Sequence, residues 1–125
     1  MPDMPARKPV LPLISEFAGD PEMAELVESF ASDLPSRIDA IIAAIKSQSV
    51  TDLKRLAHQL KGSAGGYGFQ TLGASACKVE QGLAKSTAPA NEAIAAVDKD
   101  VRALVDLCYR ASLTAPGAAP NRPTW

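Results

Sequence analysis

Apolar residues recur along this chain at steps of three and four, the spacing that places side chains on one face of an α-helix. Strand-like alternation of apolar and polar residues does not occur. The recurrence falls into four segments, carried by Met23, Leu26, Val27, Phe30, Leu34, Ile38, Ile41, Ile42 and Ile45; by Leu53, Leu56, Ala57, Leu60, Ala64 and Tyr67; by Phe69, Leu72, Ala76, Val79 and Leu83; and by Ile94, Val97, Val101, Leu104, Val105 and Cys108. Four amphipathic helices with short connections predict an all-α, antiparallel four-helix bundle.

Local signals set the expected limits of these helices. Asp20 followed by Pro21 is typical of a helix start, with an N-cap acceptor and then proline at the first helical position. Pro35 predicts a kink or a brief break in the first helix, because it has no amide proton. A cap for the second helix is expected between Ser49 and Thr51.

The bundle is expected to occupy residues 20–113. Residues 1–19 are proline-rich and predict a flexible lead-in, in which residues 12–18 form an extra short helical segment. Residues 114–125 predict a disordered C-terminal tail. With 125 residues, the chain has room for one hydrophobic core and little for a second.

Composition excludes several classes of partner. The formal net charge is −1, so no global field attracts nucleic acid or an anionic membrane. No apolar run approaches the roughly 18 residues of a membrane span. Cys77 and Cys108 are too few for a disulfide framework and lack metal-ligand spacing, which favours a reduced, cytoplasmic setting without a metal or other cofactor.

His58 is the single histidine, and helix geometry places it on the exposed side of the second helix. At 100° per residue it falls about 150° from the centre of the apolar stripe. The residues that share its face are Lys54, Arg55, Lys61, Gly62 and Gly65. An ordinary solvated helix face with a surface histidine also fits this pattern. However, Gly62 lies one turn after His58, well before the helix end, where a glycine costs about 1 kcal/mol relative to alanine.

Other chemistries fit less well. Ser63 is five residues from His58 and points elsewhere on the helix, so a serine–histidine–aspartate triad is not indicated. The glycines at 66–68 are not followed by the lysine and serine or threonine of a phosphate loop. The sequence shows no set of catalytic residues for converting a small substrate. The function that remains is to carry a chemical group.

The stretch from 58 to 69 resembles the signature of histidine-containing phosphotransfer domains, the small helical carriers of two-component phosphorelays. That pattern is histidine, any residue, leucine, lysine, glycine, serine or glycine, and alanine, followed by a glycine–phenylalanine turn. The matching positions are His58, Leu60, Lys61, Gly62, Ser63, Ala64, Gly68 and Phe69. The resemblance covers roughly residues 22–85, and the last helix fits only in general character.

The resemblance implies a role for each matched position. His58 would be phosphorylated, attacking through Nε2 the phosphoaspartate of a receiver domain. Lys61 would balance charge on the phosphoryl oxygens, and Gly62 would leave room for the receiver. Gly65, Lys54 and Arg55 are expected to belong to the same docking face.

Glu80 stands at the spacing from His58 at which chemotaxis-kinase phosphotransfer domains carry a glutamate bonded to Nδ1. Such a bond would fix the tautomer that leaves Nε2 with a free lone pair. An ordinary flank glutamate that pairs with Lys78, or with nothing, is the alternative.

Three functions remain in competition. The first is a stand-alone carrier that accepts a phosphoryl group on His58 from a receiver, or from a kinase, and passes it to another receiver. Its partners would be response-regulator receiver domains and a hybrid histidine kinase, it would be a monomer rather than an enzyme, and Mg²⁺ would be held only by the receiver. The second is a helical binding module of the same fold that regulates a signalling partner without phosphotransfer. The third is a helical scaffold, which leaves the motif unexplained.

Overall fold

A computed structural model describes residues 11–117, and within them the chain forms helices and turns only. The helices are α1 (Ala24–Lys46), α2 (Val50–Gly66), α3 (Gln70–Lys85), α4 (Ala90–Ala96) and α5 (Asp98–Ser112). Phe30, near the start of α1, stacks on Tyr67, which directly follows α2, with ring centroids 5.1 Å apart. The two helices therefore run antiparallel, and the predicted all-α bundle is confirmed.

The first helix begins later than the sequence signals suggest. Asp20 caps a turn rather than the helix, since its Oδ1 accepts a hydrogen bond from the Glu22 amide at 2.9 Å. Its carbonyl accepts one from the Met23 amide at 3.1 Å, and α1 starts at Ala24.

Pro35 does not break α1, which runs through it. The proline is exposed, whereas Leu34 and Ile38 on either side are buried in the core. Burying these two side chains outweighs the single backbone hydrogen bond that proline removes.

The predicted fourth helix consists of two helices, α4 and α5, which are separated by a tight backbone turn at Val97. The Val97 amide bonds the Ile94 carbonyl, three residues back, at 3.2 Å. Val97 is buried and packs on α3 at Gly82, where an added Cβ would lie 2.8 Å from its Cγ1. Apolar spacing runs unchanged through this point and therefore gave no sign of the break.

The backbones of α2 and α3 approach closely at a buried glycine of α3. A Cβ added at Gly73 would lie 3.4 Å from the Lys61 carbonyl oxygen and 3.5 Å from the Gly65 nitrogen. These are ordinary van der Waals distances, so an alanine would also fit between the two backbones. The part of α2 from Lys61 to Gly65 therefore lies directly against α3.

The structure describes part of the two segments that flank the bundle. Residues 16–19 form a turn, with the Ala18 amide bonded to the Ser15 carbonyl at 3.1 Å, and the short helix expected over residues 12–18 does not form. After α5, the Thr114 amide bonds the Ala111 carbonyl, and Ala115 is buried. The rest of the predicted lead-in and tail, residues 1–10 and 118–125, lies outside the described residues.

Candidate functional site

The candidate site lies on α2, which packs its apolar face against the core. Ser49 caps it, and its Oγ accepts a hydrogen bond from the Asp52 amide at 3.2 Å. Four residues of the stripe are buried, namely Leu53, Ala57, Leu60 and Ala64, and the other two, Leu56 and Tyr67, are partly buried against the core. The opposite side of the helix is therefore left to solvent.

His58 lies on that open side with 65% of its side chain exposed. Its Nδ1 is 2.6 Å from Oε2 of Glu80, which projects from α3. An ionised carboxylate can only accept hydrogen bonds, so Nδ1 carries the proton and donates it. The neutral ring then has its lone pair on Nε2.

Glu80 also binds Lys61, so its carboxylate contacts two side chains of α2, His58 and Lys61. Oε1 of Glu80 is 2.7 Å from the Lys61 Nζ, and the glutamate side chain is only 19% exposed. The hydrogen bond from Lys61 lowers the pKa of Glu80, as do the hydrogen bond and charge of His58, against an opposing effect of partial burial. The same bond raises the pKa of Lys61.

Lys61 has a contact in the structure that the sequence interpretation did not include. Lys61 was assigned to phosphoryl oxygens, and here its ammonium is bound to Glu80. An ammonium has three donors, so this contact leaves donors for a further acceptor. Lys78, the alternative partner considered for Glu80, instead pairs with Asp100 at 3.4 Å.

The glycines on the same face leave it flat beside the histidine. A Cβ added at Gly62 or at Gly66 would meet no atom within 4 Å. At Gly65 it would lie 3.8 Å from the Gln70 Oε1, an ordinary van der Waals contact. Open space at Gly62 shows that packing does not require a glycine there.

The two remaining residues of the predicted docking face, Lys54 and Arg55, are both exposed. Arg55 forms a salt bridge with Asp52 one turn earlier, at 3.2 Å. Part of the positive charge expected around His58 is therefore balanced, at Arg55 by Asp52 and at Lys61 by Glu80.

Sequence reasoning missed an open groove that runs beside His58 between α1 and α2. Its lining residues are Met23, Leu26, Arg37, His58, Gln59, Gly62, Ser63, Gly66 and Tyr67. Leu26 was assigned to the core stripe of α1, yet 49% of it is exposed in this groove. Spacing alone does not distinguish Leu26 from its buried neighbour Val27, so the groove had no clear sequence signal.

The part of the chain that the structure describes also bears on two further kinds of feature, namely metal-binding clusters and membrane-spanning helices. Residues 11–117 contain no group of three or more histidine, cysteine, aspartate or glutamate side chains placed to hold a metal ion. None of the helices formed by these residues is long and apolar enough to cross a membrane.

Comparison with known proteins gives one match. Residues 25–111, more than half of the chain, match the family model described as the Hpt domain. This match extends through α5, beyond the residues on which the sequence resemblance depends. Neither the curated proteins nor the solved structures yield a match.

Proposed function

Since the chain belongs to the Hpt domain family, we propose that it is a stand-alone phosphoryl carrier that uses His58. Hpt domains are histidine phosphotransfer modules of phosphorelays, they interact with receiver domains, and they are typically carriers rather than catalysts. In this proposal the chain accepts a phosphoryl group from a receiver phosphoaspartate, or from a kinase, and delivers it to another receiver. It does so in the cytoplasm, as a monomer between encounters.

The observation that carries the proposal is the contact between His58 and Glu80. The 2.6 Å bond at Nδ1 directs the lone pair of the ring to Nε2, while the ring is 65% exposed. A nucleophile for a protein-bound phosphoryl group needs both features, because the partner must bring its phosphorus to about 3–3.5 Å from the attacking atom.

The transfer step follows from these positions. The Nε2 lone pair attacks phosphorus, an N–P bond forms, and the bond between phosphorus and the aspartyl oxygen breaks to release a carboxylate. The Nδ1 proton stays on the ring, which becomes positively charged and is stabilised by Glu80 at 2.6 Å. Receivers supply the Mg²⁺ that neutralises phosphoryl charge, so the chain needs no metal of its own.

The groove between α1 and α2 supports the receiver as the partner. Leu26 and Tyr67 give it apolar surface next to His58, and Gly62 and Gly66 keep the α2 side free of side chains. An exposed apolar patch with a polar rim is typical of a protein-binding site. Lys54 and Arg55 would contribute at the rim of this interface, where charges mainly affect the rate of encounter.

Phosphorylated receivers test the proposal directly. The protein is incubated with each receiver, and the chain is examined for phosphate that is labile in acid and stable in alkali. We expect such phosphate on the unmodified chain and none on His58→Gln. A chain that binds phosphorylated receivers without ever becoming labelled would contradict the proposal and favour the regulatory binding module.

A further inference from the structure

Residues 11–20, here called the N-terminal brace, precede the part of the chain that matches the family model. One end of the brace is attached to α5. The Leu13 amide donates to the Arg110 carbonyl at 3.0 Å, and the Arg110 Nε donates to the Leu11 carbonyl at 2.8 Å. The side chains of Leu13 and Phe17 pack against the core.

The other end of the brace is attached to the turn that ends α2. The Ser15 hydroxyl donates to the Tyr67 carbonyl at 2.6 Å and accepts from the Phe17 amide at 3.0 Å. The Glu16 amide donates to the Gly68 carbonyl at 2.9 Å. Ser15 is only 5% exposed, and both of its hydrogen bonds are partly buried.

Gly68 has a backbone conformation and a lack of side chain that together allow this contact. Its φ of +84° lies in the left-handed region, and an added Cβ would lie 2.5 Å from the Ser15 Oγ and 2.9 Å from the Glu16 nitrogen. Only a residue without a side chain lets the brace come this close. The turn and the brace therefore fit each other.

The same turn supplies a wall of the groove beside His58. The Tyr67 ring stacks on Phe30 and lines the groove together with Leu26 and Gly62. The carbonyl that the brace binds belongs to this tyrosine, so the brace fixes the backbone from which the groove wall projects.

We infer that Ser15 is a positioning residue for phosphotransfer, which acts through Tyr67 on the surface where the receiver docks. Ser15 does not contact the histidine or its glutamate partner in this arrangement. The inference rests on the proposed function, because it assigns a role within receiver docking. It places part of the docking specificity outside the family-matched region of the chain.

Ser15→Ala tests the inference in the full-length chain. Loss of the hydroxyl should raise the KM for a phosphorylated receiver roughly three- to tenfold, as expected for one lost hydrogen bond, and leave the rate at saturating receiver unchanged. Labelling of His58 by phosphoramidate should stay normal, because a small donor needs no groove. Hydrogen exchange should accelerate at the amides of Glu16 and Phe17.

Two control variants separate positioning from a general loss of stability. Ser86→Ala removes a hydroxyl that accepts the Ala88 amide at 3.2 Å, at the far end of α3, and should leave KM unchanged. Ile94→Val loosens the core through α4, away from the groove. It should lower the melting temperature without changing KM.

The outcomes distinguish the inference from the proposed function. An unchanged KM in Ser15→Ala, with accelerated exchange in the brace, would overturn the inference and leave the carrier function intact. An equal rise of KM in Ile94→Val would also overturn it, since the effect would then follow stability. Absence of label on the unmodified protein from every phosphodonor would instead overturn the proposed function.

Discussion

Gly62→Gln separates the docking surface from the chemistry of the site. Nothing lies within 4 Å of a Cβ at this position, so the new side chain meets no steric obstacle within the protein. Glutamine is the better helix former by roughly 0.5–1 kcal/mol. The variant should therefore be more stable, with a melting temperature about 2–5 °C higher.

The same side chain should impede the receiver. Side chains one turn apart on a helix have Cβ atoms about 5–6 Å from each other, so the glutamine amide reaches the space above the His58 ring. Docking would have to immobilise it, at about 0.5–1.5 kcal/mol, and desolvate its amide, at about 1–3 kcal/mol. Together these costs slow transfer from a receiver by at least about tenfold.

Two rates measured on one variant provide the assay, with Gly62→Ala as the matched control. Alanine shares the gain in helix stability but adds only a methyl group, so its transfer rate should stay much closer to that of the unmodified protein. Phosphoramidate should label both variants at nearly the normal rate. Normal transfer from the receiver to Gly62→Gln would refute the reasoning and show that the partner approaches from another side. Slow labelling by both donors would mean that the glutamine disturbs the imidazole itself.

Three further predictions concern single side chains. His58→Gln should abolish phosphate acceptance and keep the melting temperature within a few degrees, because exposed substitutions usually change stability by about 0.5 kcal/mol or less; unfolding of this variant would contradict the exposed placement. Glu80→Gln should slow transfer without eliminating it, and should be less stable than the unmodified protein above pH 4.5, the ordinary pKa of the glutamate. Lys61 and His58 lower the pKa of Glu80, so the difference in stability between the two proteins should shrink as the pH falls through this lowered pKa. Urea unfolding at several pH values measures this difference. A difference that grows towards acidic pH would contradict the pairing of Glu80 with Lys61 and His58. Burial raises the pKa of the Cys108 thiol to about 12, so iodoacetamide at pH 8 should modify only Cys77 in the folded protein. Mass spectrometry identifies the modified cysteine. Alkylation of Cys108 in the folded protein would show that the core around it opens.

The parts of the fold that follow from local periodicity were predictable. The buried stripe of α2 and the exposed position of His58 opposite it come from the same 100° rotation per residue. Ser49 was within the expected range for the cap, because its side chain and the following residues are enough to specify that turn. Local rules were not sufficient everywhere, since Asp20 and Pro21 indicated a start of α1 before Ala24.

Other features depend on contacts between distant segments. Leu26 is exposed because none of the helices within residues 11–117 covers that flank of α1, and the spacing of α1 cannot indicate what lies beside it. The break at Val97 depends on packing against Gly82, and the pairing of Lys61 with Glu80 depends on the approach of α3 to α2. Ser15 was assigned to a short helical segment of the lead-in, and its contact with Tyr67 had no local signal, because the two residues are 52 positions apart.

The close approach of α2 and α3 at Gly73 links the contacts of Glu80 to the packing of the core. Glu80 follows Gly73 by about two helical turns, or roughly 10 Å along the axis of α3. The position of the carboxylate that binds His58 and Lys61 therefore depends on how closely α3 packs on α2, where a Cβ added at Gly73 would lie 3.4 Å from the Lys61 carbonyl oxygen. A side chain larger than alanine at position 73 would act as a wedge between the helices and lengthen the 2.6 Å and 2.7 Å contacts at the far end. A substitution in the buried interior of this bundle would therefore change the exposed His58, by altering which of its ring nitrogens carries the proton.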